Sequence, residues 1–166
     1  MEAIRRLLDN RKIAGRYLIV AALLPVWAYV LYHLRLPILT RSIEPVAVWV
    51  QHDPEPDRKI KTGEYVTFDQ YAPKPYNKVM TLIKRVGCGG GDALTVDRND
   101  HYYCNGTYLA MAKKEVAGKA ITPFRFNGRV PAGKLFLVGD FPGSYDSRVY
   151  GFVDRDRIKG VAWPLL

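Results

Sequence analysis

The chain has 166 residues, with 25 Lys and Arg against 16 Asp and Glu for a formal net charge of +9. Hydrophobic residues make up 48% and charged ones 25%, a balance that excludes a disordered, collagen-like or low-complexity chain. Two Cys exclude a disulfide-dense miniprotein, and no internal repeat is visible.

The apolar residues are concentrated near the start. Tyr17 to Tyr32 reads YLIVAALLPVWAYVLY without a charge. A membrane-spanning helix needs roughly 20 residues, within a range of about 17–25. The flanks decide the reading. Trp27, Tyr29 and Tyr32 crowd one end, as interfacial residues do. Pro25 is tolerated better in a membrane helix than in a soluble one. The bland alternatives are a buried soluble helix and a cleaved signal peptide. Cleavage needs small residues after the apolar run, and His33-Leu34-Arg35-Leu36-Pro37 follows instead. We therefore expect an uncleaved anchor in residues 1–35, preceding a domain over residues 36–166. Arg5, Arg6, Arg11, Lys12 and Arg16 precede the helix, which by the positive-inside rule puts the N-terminus in the cytoplasm. In a Gram-negative bacterium the domain then lies in the periplasm, held to the inner membrane by a single pass through the lipid bilayer.

Beyond Arg35 the chain has 19 basic and 14 acidic residues, a modest excess of +5. Nucleic-acid binding calls for a basic stripe with interleaved aromatics. Only short clusters occur, such as Arg58-Lys59-Ile60-Lys61 and Lys113-Lys114, and these read as a solvated face or a surface near anionic headgroups. No nucleic-acid partner is expected. Cys88 and Cys104 both fall in the exported part, where thiols oxidise. The even count and the compartment favour a bridge over two unrelated thiols.

The exported part reads as short strands with turn punctuation. Val46 to Val50 is a β-rich run, and Gln51 to Thr62, with Pro54 and Pro56, is a loop. Tyr65 to Phe68 alternates as a strand, Tyr71 to Asn77 is a Pro-containing loop, and Val79 to Val86 is strand-like. Gly87 to Gly91 reads as a glycine-rich turn before Ala93 to Val96. His101 to Cys104 and Thr107 to Met111 flank Asn105-Gly106, a strong type I′ hairpin signal. Lys134 to Val138 is a last strand ending at Gly139-Asp140. The pattern predicts a mainly β fold, a sandwich or distorted barrel, after one N-terminal transmembrane helix.

No metal constellation is present: the three His are scattered, and neither CxxC nor HExxH occurs. We expect no metal and no cofactor. Gly87-Cys88-Gly89-Gly90-Gly91-Asp92 lacks the GK[ST] ending of a phosphate loop, and neither His52 nor His101 has the context of a Ser-His-Asp triad. What remains is Ser with Lys. Leu82-Ile83-Lys84-Arg85-Val86 places a Lys within an apolar strand. Burial disfavours its charged form, and a neutral Lys beside a hydroxyl is one way to activate a nucleophile. Side chains alternate faces along a strand, so one of Lys84 and Arg85 points in and the other out. The residues alone leave open the blander reading of two solvated charges on an edge strand.

Four ordered segments then carry a resemblance. Thr40-x-Ser42-x-x-Pro45 comes first, followed by Thr62-Gly63-Glu64-Tyr65-Val66-Thr67-Phe68. Ile83-Lys84-Arg85-Val86 with Gly91-Asp92 comes next. Val130-Pro131-x-Gly133-x-x-Phe136-x-x-Gly139-Asp140 and Ser144-x-Asp146-Ser147-Arg148 close the series. Together they resemble the type I signal peptidase superfamily of membrane-bound Ser/Lys endopeptidases, and within it the small TraF-type peptidases of conjugative plasmids. The resemblance implies Ser42 as nucleophile and Lys84 as general base. It implies Thr40 and the Ser42 N–H as oxyanion donors, Ser144 as the hydroxyl that orients Lys84, and Asp146 with Arg148 as a structural ion pair beneath the site. The implied substrate is a membrane-embedded precursor bearing a signal peptide, most specifically a pilin precursor, with the conjugative transfer machinery as a partner. In that group the Ser ester can pass to water or to a second peptide terminus, closing a ring.

Three other readings stand beside this one. A general signal peptidase I usually has two membrane helices and a large insert, for which there is no room between Lys84 and Phe124. A non-catalytic anchored assembly protein of a secretion channel would be expected to have lost Ser42 or Lys84. A self-cleaving repressor-type protein would need a DNA-binding domain where the anchor stands.

Overall fold

The computed structural model describes residues 2–36, 42–45, 47–52, 58–72, 77–116 and 119–165. The chain divides into two compact units, Met1–Leu34 and Arg35–Leu166. The first is one helix, α1 (Glu2–His33), with Pro25 inside it. Within it Arg16–His33 is long and apolar enough to cross a membrane. A two-residue strand, β1 (Leu34–Arg35), follows at the boundary.

The second unit is mainly β, as the sequence predicts. Its strands are β2 (Val48–His52), β3 (Tyr65–Ala72), β4 (Lys78–Gly89), β5 (Ala93–Val96), β6 (His101–Cys104), β7 (Thr107–Met111), β8 (Glu115–Val116), β9 (Lys119–Ala120), β10 (Gly128–Arg129), β11 (Lys134–Val138), β12 (Val153–Asp154) and β13 (Ile158–Pro164). The larger antiparallel sheet runs β2-β13-β3-β4-β11-β12, and a smaller one runs β10-β5-β6-β7. A short helix, α2 (Ser147–Tyr150), and a 3₁₀ turn (Arg155–Arg157) lie between β11 and β13.

β11 shows why the two sheets form one body. Leu135 and Leu137 join the cluster of Val66, Phe68, Val86, Val153 and Val161. Phe136 and Val138 join a second cluster with Leu94 and Tyr102 from the smaller sheet and Val130 just after β10. The strand is apolar on both faces because both are covered.

Two sequence expectations are corrected here. The long β3–β4 hairpin pairs Tyr65 with Arg85 at one end and Ala72 with Lys78 at the other, so β3 extends past Phe68 to the residue before Pro73. The glycines after Val86 do not yet form a turn, because β4 continues to Gly89 against β11. Leu137 pairs with Val86 and Phe136 with Cys88, which makes Gly87 the extra residue of a β-bulge. A Cβ on Gly87 would sit 3.2 Å from the Phe136 carbonyl oxygen. The bulge re-aims the chain, so Val86 faces one apolar cluster and Cys88 the other.

Cys88 is bonded to Cys104, at a Cα–Cα distance of 5.6 Å. Asn105 and Gly106 both have positive φ, 48° and 80°, as the type I′ turn between β6 and β7 requires. The bridge thus ties the far end of β4 to the smaller sheet. With the cysteines 16 positions apart in sequence, its removal is expected to cost about 3 kcal/mol by the chain-entropy model. Urea unfolding of wild type and the Cys88→Ala, Cys104→Ala double variant measures this. Turnover per folded molecule should stay near wild type.

Candidate active site

Lys84 lies in the middle of β4, between β3 and β11. This settles the choice left open by strand alternation. Lys84 is 1% exposed, whereas the Arg85 side chain is 27% exposed and pairs with Asp140 at 2.9 Å. The strand is interior, and its inward charge is the lysine. Burial is the main cause that lowers the Lys84 ammonium to a pKa of about 8; Asp146 opposes that shift, Arg148 adds to it, and Asp140 again opposes it. Its Nζ donates to Ser144 Oγ at 2.8 Å. That partner is neutral, so it orients the amine without holding the proton on it as a contacting carboxylate would.

The turn after β11 brings the other residues to this lysine. Gly139 is the point of closest approach. A Cβ built there would lie 2.1 Å from Ser144 Oγ and 2.6 Å from the Ser42 carbonyl oxygen. Only glycine lets the Ser42 backbone and the Ser144 hydroxyl meet across this strand end. The Asp140 N–H donates to the Ser42 carbonyl at 2.9 Å, and Ser42 itself is half-buried.

Asp140 holds the same segment a second time. Its carboxylate accepts from the Glu44 N–H at 3.0 Å, from Tyr65 OH at 2.9 Å and from Arg85 Nε at 2.9 Å. Burial, and then the adjacent carboxylate, push the Tyr65 hydroxyl well above the ordinary tyrosine range. In the sequence alone Gly139, Asp140 and Arg85 stand as motif letters without a role. The available signal was a second charge beside Lys84, which needed a partner once the strand proved interior.

Asp146 and Arg148 form the buried pair expected of them, 0% and 2% exposed. Asp146 caps α2, accepting the Arg148 N–H at 3.0 Å and Arg148 Nε at 2.9 Å. Its other oxygen accepts from the Gly139 N–H at 2.7 Å. Arg148 donates onward to the carbonyls of Phe141 at 2.9 Å and of Met111 at 2.7 Å. The pair thereby fixes the turn that carries Gly139, Asp140 and Ser144, and anchors it to β7 of the smaller sheet. Thr40, the remaining expected site residue, lies outside the described residues.

The structure therefore gathers Lys84, Ser144, the Ser42 backbone and the Asp146–Arg148 pair around one turn. A lysine amine that sheds its proton near pH 8 can take a proton from a hydroxyl presented to it. A β domain with such a site behind an apolar N-terminal helix defines a class, and the chain belongs to it: the signal peptidase family, peptidase S26, a family of serine peptidases, matches residues 12–165. The chain is also similar to a conjugal transfer protein TraF of Agrobacterium fabrum (strain C58), 46% identical over 48 residues. That stretch is 29% of this chain and 27% of the relative, so the match spans about a quarter of the relative's length. Among solved structures it is similar to a signal peptidase I from Enterococcus faecalis V583, 26% identical with a TM-score of 0.41, over 63% of this chain and 97% of that one. The apolar helix and the family together support membrane anchoring.

Proposed function

We propose that this chain is a membrane-anchored serine endopeptidase working through a Ser42/Lys84 dyad, and that it matures an exported precursor of a conjugative system, a pilin. The observation that carries the dyad is Lys84, buried in an interior strand and bonded to the neutral Ser144 hydroxyl. The partial similarity to a conjugal transfer protein supports the link to conjugation. The basic residues in the first half of α1, ahead of its apolar run from Tyr17, support a cytoplasmic N-terminus. The disulfide supports a domain on the oxidising side, the periplasm of a Gram-negative host.

In this reading Lys84 Nζ takes the proton from Ser42 Oγ as that oxygen attacks the scissile carbonyl. The Ser42 N–H and the Thr40 hydroxyl stabilise the resulting oxyanion. Lys84 returns the proton to the departing amine and leaves an ester on Ser42. Water then hydrolyses the ester, or the amine of a second peptide terminus attacks it and closes a ring. Ser144 keeps the lysine amine aimed, and Asp146 with Arg148 keeps Ser144 in place.

The deciding experiment incubates the purified full chain, wild type and Ser42→Ala, with pilin precursor in membranes and follows product mass. Wild type should yield a shortened product and Ser42→Ala none. A product lighter by one water than the linear fragment marks ring closure. Processing by Ser42→Ala at the wild-type rate would remove the dyad, and no processing by wild type would favour a non-catalytic assembly role. Removing one oxyanion donor costs about 10²–10³ in kcat, or roughly 2.7–4 kcal/mol. Thr40→Val should therefore lower kcat by that factor and barely change KM, while Thr40→Ser keeps much of the rate. Wild-type kcat in Thr40→Val would leave the Ser42 N–H as the donor.

A further inference from the structure

An Asn-Gly pair is chemically fragile. The Gly nitrogen, unshielded by a side chain, can attack the Asn side-chain carbonyl carbon. The side-chain nitrogen leaves as ammonia, carrying the glycine's amide hydrogen, and a cyclic imide remains. Water opens that ring at either carbonyl, leaving Asp or, with the backbone rerouted through the side chain, isoaspartate. The chain has two such pairs, Asn105-Gly106 and Asn127-Gly128.

At Asn105 the fold opposes this reaction. Asn105 and Gly106 are the exposed turn between β6 and β7, closed by the pairing of Cys104 with Thr107. The Asn105 side chain is nevertheless tied down at both ends. Its Oδ1 accepts the Ala93 N–H at 2.9 Å, and its Nδ2 donates to Asp92 Oδ1 at 2.9 Å. The Asn105 N–H also donates to the Ala93 carbonyl at 2.8 Å. The amide is thus held against the start of β5. For its carbonyl carbon to reach the Gly106 nitrogen, both side-chain bonds must break.

The partner makes conversion consequential. Asp92 closes the turn after β4, its Oδ2 accepting the Gly89 N–H at 2.8 Å and the Thr62 hydroxyl at 3.4 Å. The Asn105 hydrogen bond is the first cause that holds the Asp92 carboxyl below the usual range, and the Gly89 N–H is the second. Deamidation replaces the Nδ2 donor with an acceptor that is negatively charged, so two carboxylates meet where a hydrogen bond stood. Asp-Gly suits a type I′ turn as Asn-Gly does. The damage therefore falls on the contact with Asp92 and not on the turn. The disulfide adjoins both partners. Cys104 precedes Asn105, Cys88 precedes Gly89, and an Asp92 carboxylate oxygen lies within 4.8 Å of both sulfurs.

We propose that Asn105 is a latent modification site, a deamidation position kept closed by Asp92 and Ala93 and opened when the Cys88–Cys104 bridge is lost. Water is the co-reactant, and ammonia is released. A chain that loses its bridge is thereby marked irreversibly, because the new carboxylate opposes closure of the corner. None of this depends on the peptidase reading.

The test incubates the full-length protein in detergent micelles at mildly alkaline pH in three states: oxidised, reduced by a phosphine, and reduced in concentrated urea. Digests are read by mass for conversion of Asn105, and of Asn127 as a check that the urea sample reacts. A site that reacts only when opened is slowed by the small population of the open form, so Asn105 should convert at least about tenfold more slowly in the oxidised protein than in urea. The reduced protein should fall between. Equal rates in the oxidised protein and in urea overturn the proposal, as does an Asn105 that survives urea while Asn127 converts. Equal rates in the oxidised and reduced proteins remove the bridge as the latch. Asn105→Asp reads the carboxylate clash and should lower the urea midpoint at neutral pH. A carboxyl raised in the native state makes stability fall as pH rises, so the deficit should shrink as pH is lowered through the carboxylate range. Adding Asp92→Asn restores one donor and one acceptor in exchanged places and should recover most of the loss. An Asn105→Asp protein as stable as wild type overturns the clash, and so does a double variant no better than the single one.

Discussion

Lys84→Arg is expected to abolish processing while the domain stays folded. Arg fills a similar volume but does not deprotonate near neutral pH, so the proton transfer is lost, an effect of about 10²–10⁴ in kcat for a general base. Wild-type kcat should rise with pH through about 8, where the buried amine gives up its proton, and any residual Lys84→Arg activity should lack that inflection. Stability carries the same signature. The unfolded chain holds this proton up to the ordinary lysine range. Between pH 8 and that range it binds more protons than the native state, and stability rises with pH. Below pH 8 both states are charged, and the penalty for burying the ammonium is paid in full. Single-turnover assays across pH, paired with urea unfolding of both proteins, test each half. Retained activity in Lys84→Arg would remove the dyad.

Arg148→Met should have the largest effect on stability. The guanidinium, on a side chain only 2% exposed, satisfies Asp146 and the carbonyls of Met111, Gly139 and Phe141. Removing one partner of a buried pair leaves an uncompensated charge, at a cost of about 3–5 kcal/mol. The turn of Gly139, Asp140 and Ser144 loses its anchor to β7 at the same time, so activity per folded molecule should fall too. Combining Asp146→Asn with Arg148→Met should recover part of the loss, since no bare carboxylate remains. Urea midpoints for the single and double variants measure the difference. An Arg148→Met protein as stable as wild type would exclude the pair from the frame.

Local chemistry made much of this fold readable in the sequence. Asn105-Gly106 announced its hairpin because two consecutive positive φ values demand such residues. The charge-free run at Tyr17–Tyr32 announced the helix by its length and its aromatic end. Alternation placed one of Lys84 and Arg85 inside, but not which, because that depends on the faces β3 and β11 cover. The glycines from Gly87 read as a turn because nothing local distinguishes a turn glycine from a bulge glycine. Only pairing with Phe136 and Leu137, about fifty residues away, makes the difference. α2 escaped notice because four residues are too few for a periodic signal, and its start is set by the Asp146 cap. Asp140 was missed as a hub for a related reason. Its three side-chain bonds reach residues 44, 65 and 85, and no spacing rule joins these positions.

Those separations bear on when the site comes into being. Glu44 is bonded to Asp140 across 96 positions, and Lys84 to Ser144 across 60. Contacts of such span form after local hairpins, because the intervening chain must first be closed into a loop. During synthesis the serine segment and the lysine strand are complete well before the turn that unites them. A chain synthesised only to that point therefore carries every letter of the first three motifs and can pair β3 with β4, but lacks the contacts to Asp140 and Ser144. The contacts that join Ser42 to Asp140 and Lys84 to Ser144 are completed by the last quarter of the polypeptide, so under the proposed dyad proteolytic competence waits for the chain's own folding.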